Sequence, residues 1–143
     1  MTITPMTTTS NLPNGVHTGT RFRVLVTGSR TWSDQTAIRQ ALGELLAEHG
    51  DCLVVVHGAC RYGADAIAEA WATVHQVHVE RHAANWRRYG RFAGLVRNTL
   101  MVATGPDLCL AFIRNRSVGA SHCASTAVSA GITTRYCRAA MPV

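Results

Sequence analysis

Residues 22–58, FRVLVTGSRTWSDQTAIRQALGELLAEHGDCLVVVHG, decide the fold. They open on a short apolar run that stops at Thr27-Gly28-Ser29. Ala37, Ile38, Ala41, Leu42, Leu45 and Leu46 then recur at helical spacing, with Ser33 or Asp34 available as the cap and Gly50-Asp51 as the stop. Cys52 to Val56, CLVVV, follows without polar alternation and ends at His57-Gly58. A strand that is apolar on both faces is what a parallel sheet covered by helices on both sides requires. The stretch therefore reads as β-α-β.

The same alternation continues outward. A helix is predicted from Ala64 to Val74 and a short strand at Val77–Val79. A helix over Phe92–Thr104 ends at the turn Gly105-Pro106-Asp107, and Leu108–Ile113 forms a fourth strand. A helix over Val118–Ser129 has Gly131 as its C′ residue, and a fifth strand spans Thr133–Cys137. Strand alternating with helix five times predicts an α/β fold: a Rossmann-like, doubly wound, mainly parallel five-stranded sheet with helices on both faces. Residues 1–20, rich in Thr, Ser, Asn, Pro and Gly, read as a disordered leader, and residues 21–143 as one domain.

Composition narrows the function classes. The net charge is +6, and all fourteen basic residues are arginine, whose planar fork of donors suits phosphate and carboxylate. The only compact basic run in the sequence is Arg87, Arg88 and Arg91, so nucleic acid is not the expected partner; a small anion is. The five cysteines, Cys52, Cys60, Cys109, Cys123 and Cys137, form no C-x-x-C pair and fit a reducing compartment. No metal site is expected from the histidine and cysteine spacings. With no secretory signal pattern and no long apolar run, a cytoplasmic protein without membrane contact is expected.

Open parallel sheets bind ligands beyond the carboxyl ends of their strands. Three polar loops lie there: Thr27 to Asp34, His57 to Asp65 and Arg114 to His122. Gly28 either lets a ligand approach or forms a tight turn, while the Ser29 and Arg30 amides are candidate anion donors beside a helix start. Neither a G-x-G-x-x-G nor a Walker motif is present, and the chain contains no lysine. In HGACRYGAD, Gly58 and Gly63 permit a bend over a sugar or phosphate. Asp65 suits ribose hydroxyls or caps the helix with Ala64 at its start, and His57 is either a ligand donor or a structural histidine. Trp86 and Tyr89 are candidates for stacking on a base or for a subunit contact. Arg97 and Asn98 could face the ligand mouth, and Met101 reads as core. Ser121 and His122 are neighbours on a helix and do not face each other as a catalytic dyad would. Ser117, Gly119, Ala120 and Ser121 suit a second anion-receiving turn, with Phe112 at the end of the preceding strand. A homodimer is expected, anchored by Trp71.

The strings VTGSR (26–30), HGACRYGAD (57–65), GRFAGLVRN (90–98) with Met101, and PDLCLAF (106–112) resemble the YspA-type, YpsA-related branch of the SLOG superfamily. This Rossmann-like group is related to the LOG phosphoribohydrolases. The resemblance implies a nucleotide-derived ligand, a nucleoside monophosphate or an ADP-ribose-like molecule, with no certain cofactor. It also implies an alternative, cleavage of nucleoside 5′-monophosphates at the N-glycosidic bond; a basic nucleic-acid-associated module is a further alternative. Arg97 resembles an arginine of the hydrolases. Their P-G-G-x-G-T-x-x-E loop is matched here with Ser117 for an earlier glycine, Gly119 for the last and Ala120 for the threonine. Cys123 falls where the catalytic glutamate stands. A neutral thiol is a poor substitute for that acid, leaving Asp65, Arg97 and Cys123 as the residues any catalysis would use.

Overall fold

The three central strands are short, apolar at their centres and followed by polar loops, and the chain assembles its five strands in the order β3-β2-β1-β4-β5, all parallel. The strands are β1 (Phe22–Gly28), β2 (Leu53–His57), β3 (His78–Arg81), β4 (Leu108–Ile113) and β5 (Thr133–Arg138); the helices are α1 (Gln35–His49), α2 (Ala64–Val74), α3 (Trp86–Tyr89), α4 (Ala93–Ala103) and α5 (Val118–Ser129). The computed structural model describes residues 20–138; residues 1–19 of the expected leader and the chain after residue 138 lie outside them.

Strand alternation sorts the core into two layers. Val24, Val26, Leu53, Val55, Leu108, Leu110 and Phe112 point to the side covered by α1 and α2, where Ile38, Leu42, Ala68 and Trp71 meet them. Leu25, Val54, Val56 and Cys109 point the other way, against Met101 and Val102 of α4 and Cys123 and Ala127 of α5. The five-stranded doubly wound α/β sheet read from the sequence is the observed one. Met101 is core, as read.

Local chemistry places the helix boundaries. Asp34, not Ser33, caps α1, its carboxylate accepting the Ala37 amide at 3.1 Å. Ser117 caps α5, accepting the Ala120 amide at 3.4 Å. Most element boundaries lie within one residue of expectation, and two regions differ by more. The third strand starts one residue later and runs two residues further. The predicted helix from Phe92 is preceded by an additional short one, α3, because Asn85 caps the Trp86 turn by accepting the Arg88 amide at 3.0 Å.

Trp71, the expected dimer anchor, is 6% exposed, lies in the α1–α2 core and stacks on His75. The amphipathic face of α2 is consumed by its own sheet, so Trp71 has no surface to offer a second copy. Among the described residues no helix is long and apolar enough to cross a membrane.

Candidate functional site

The chain reverses direction across the sheet between β1 and β4, whose carboxyl ends lie side by side at Gly28 and Phe112. A cleft of about 870 Å³ opens over this point. Of the residues anticipated from sequence, Thr27, Gly28, Ser29, Arg30, Gly58, Asp65, Arg97, Asn98, Ser117, Gly119 and Ala120 line it. His57, Gly63, Ala64, Phe112, Ser121 and Cys123 do not; they support it from beneath or lie to one side.

The supporting roles follow from hydrogen bonds and space. The Ala59 amide donates to His57 Nδ1 (2.9 Å), which leaves the ring proton on Nε2 to be donated to Glu69 (2.8 Å). His57 is 2% exposed, so both ring nitrogens serve the protein. Phe112 is fully buried, edge-on to Trp32. Gly63 has φ +72, and a Cβ there would meet the Ser29 carbonyl and Arg30 backbone. It lets the second loop lie directly on the first. A Cβ at Gly28 would strike Ala64, so this glycine brings the end of β1 against the start of α2.

Ser29 clasps β1 to β4. Its amide donates to the Phe112 carbonyl (3.0 Å), and its hydroxyl donates to the Arg114 carbonyl (3.1 Å) and accepts the Arg114 amide (2.8 Å). The expectation that the Ser29 amide receives an anion is therefore corrected: that donor is committed to closing the sheet. Nor does the helix that follows it in the chain begin beside it, since α1 starts at Gln35. Helix α5 opens onto the cleft through Ser117, Gly119 and Ala120. The first amides of such a helix have no carbonyl partner within it.

Arg97 and Asn98 brace the cleft walls. The Arg97 guanidinium donates from Nη1 to the Gly58 carbonyl and from Nε to Asn98 Oδ1 (2.8 Å), while Asn98 Nδ2 donates to the Gly119 carbonyl (3.1 Å). The pair ties α4 to the second and third loops. Asp65 lies on the floor, 7% exposed, its Oδ2 accepting the Gly58 and Cys60 amides, both at 3.2 Å. Its Oδ1 has no hydrogen-bond donor among the described residues. Burial pushes this carboxyl above the usual range, against the opposing pull of the Cys60 amide, Arg97 and the Gly58 amide. Cys123 is fully buried in the α4–α5 layer. Burial pushes its thiol up to about 11, so it is neutral at pH 7.

The cleft is strongly cationic. Arg30, Arg61, Arg91, Arg97, Arg114 and Arg116 line it, with Asp65 as its single acid. None of these arginines joins an ion pair among the described residues. Tyr62 and Trp86, 69% and 52% exposed, stand on the β2–β3 side, while Arg114, Arg116 and the start of α5 form the β4 side. Tyr89 does not line the cleft. Arg61 and Tyr62 were not singled out from sequence, although both sit inside the HGACRYGAD motif. Their signal was position between two glycines that fold the loop back.

Residues 22–89 match the family described as YAcAr, the YspA, cpYpsA-related SLOG family. The chain is also 48% identical over 115 residues to the Gene 61 protein of Mycobacterium phage D29, covering 77% of this chain and 91% of that protein. No solved structure matches significantly. Sequence motifs, a parallel sheet and a cleft at its switch point thus agree with the match, and the chain belongs to the YspA, cpYpsA-related SLOG family.

Proposed function

We propose that the cleft binds a nucleotide-derived anion, a nucleoside monophosphate or an ADP-ribose-like molecule, and does not turn over nucleoside monophosphates efficiently. The observation that carries this reading is the gathering of six arginines and one acid around a cleft of about 870 Å³, within the usual range for small-ligand sites. Guanidinium groups gathered around one opening without matching acids repel one another, and a bound phosphate relieves that repulsion. In this reading Arg30, Arg114, Arg116 and the α5 amides take phosphate, Asp65 Oδ1 accepts from ribose hydroxyls, and Tyr62 or Trp86 stacks on the base.

Cleavage of the glycosidic bond needs a group that stabilises the positive charge growing on the ribose. Cys123, as a buried neutral thiol, does not supply it. One observation favours the hydrolase reading as the alternative: Asp65 Oδ1 is an unengaged carboxyl oxygen at the cleft floor. Calorimetry with AMP and ADP-ribose is expected to detect binding that Arg30→Ala weakens about tenfold, and no binding to any nucleotide would sink the reading. Release of free base from AMP, CMP, GMP, UMP or IMP above about 1 per second, abolished by Asp65→Ala, would replace it with the hydrolase.

A further inference from the structure

The sequence contains no long basic run of the kind that marks a nucleic-acid binder, but the folded chain assembles a basic surface from separate segments. Arg30, Arg61, Arg91, Arg97, Arg114 and Arg116 come from four separate segments and converge on one surface. The cleft does not end at the β4–α5 loop. Asn115, Arg116 and Ser117 line both the cleft and a second, more open depression of about 670 Å³ on the β5 side. Val118, His122 and Tyr136 line that depression, and Tyr136 is 49% exposed.

We propose that the two depressions form one groove for the end of a single-stranded nucleic acid, with a terminal nucleotide in the cleft and the strand passing over Arg116 to Tyr136. This rests on the nucleotide reading of the cleft and extends it. Strand order supplies the direction of travel: Tyr62 and Trp86 on the β2–β3 side, the arginines over β1 and β4, and Tyr136 on β5. With neighbouring strands about 4.8 Å apart, the aromatic ends of this path lie roughly 15–20 Å from each other. Linked nucleotides cover that distance better than one nucleoside monophosphate. Cationic side chains that follow a backbone, interleaved with exposed aromatic rings that stack on successive bases, are the recurrent means of holding single strands without reading their sequence. Arg116 sits on the shared ridge, where two consecutive nucleotides would place their linking phosphate.

The test uses the full chain and 5′-phosphorylated oligodeoxyadenylates of one, two, three and six nucleotides, with the corresponding oligoadenylates as an RNA arm, titrated by calorimetry at two salt concentrations. Affinity is expected to rise at least about tenfold from one to three nucleotides. Tyr136→Ala should erase that gain while leaving the mononucleotide affinity unchanged, and Tyr136→Phe, which keeps the ring, should retain it. Arg116→Ala should lower the salt slope by about 0.7 for the trinucleotide. Equal affinity for one and six nucleotides would overturn the groove while leaving the small-ligand reading standing. So would a length-dependent gain that survives Tyr136→Ala. Oligonucleotides that bind where AMP and ADP-ribose do not would support the groove and remove the small-ligand reading.

Discussion

The two ends of the sheet use arginine in opposite ways. At the amino end, all three guanidinium nitrogens of Arg23 of β1 are engaged: Nε and Nη2 donate to Glu80 of β3 (2.9 and 2.7 Å), and Nη1 donates to the Thr104 carbonyl (3.0 Å). Its backbone amide donates to Asp107 (2.8 Å). At the carboxyl end, Arg30, Arg61, Arg91 and Arg116 stand exposed without an ion-pair partner among the described residues, although they share one cleft. An arginine whose charge is matched and whose donors are filled holds strands together. Arginines gathered without matching acids leave potential for something else to neutralise. The residue type is the same, and the difference lies in which acids the fold brings near.

The largest expected effect lies in the loop contact that creates the cleft. Gly63→Ala forces a side chain into a left-handed backbone conformation and against Ser29 and Arg30. A loss of about 3 kcal/mol in chemical denaturation is expected. A loss below about 1 kcal/mol would mean that the two loops do not need this close approach.

Next comes the direct contrast between the ends. Arg23→Ala leaves Glu80 and the Thr104 carbonyl without their donor and is expected to cost about 2 kcal/mol. Arg116→Ala, at the other end, is expected to move Tm by less than about 3 °C. Equal destabilisation by the two substitutions would erase the distinction between paired and unpaired arginines.

The smallest effect is a pH dependence. The Arg23 guanidinium, by hydrogen bonding, holds the Glu80 carboxyl below its usual range against the opposing effect of burial. A depressed carboxyl stabilises the folded state above its ordinary pKa and loses that contribution as pH falls through the folded value. Glu80→Gln should therefore lower stability by about 1 kcal/mol at pH 7. The gap to the parent should close as pH falls below about 4. A gap that stays constant down to strongly acidic pH would show that the ion pair does not supply this stability.

Much of the fold was legible in residue order, because the strongest signals are local. CLVVV cannot be half exposed, the α1 periodicity permits one buried face, and Asp34 and Ser117 cap helices from their own sequence neighbourhood. The site was legible only in part. Glycine motifs marked its loops, but Gly28 and Gly63 turned out to serve contacts between chain segments. The amide of Ser29 bonds to Phe112, eighty-three positions away, and no local pattern announces such a partner. Trp71 read as an anchor for the same reason: its amphipathic helix is visible in the sequence, while the surface that covers it is not.

The amino-acid sequence by itself determined the alternation of strands and helices, the parallel sheet, the family and the three loops that meet at its carboxyl edge, since each follows from periodicity, capping or a contiguous motif. Only the tertiary structure decided which arginines are neutralised and which converge. The β1–β4 switch point sets residues from the loops after β1, β2 and β4, and from the segment before α4, around one opening, and it leaves Glu80 and Asp107 beside Arg23 at the far end. Coulomb energy depends on distance in space, and the chain sets that distance by folding.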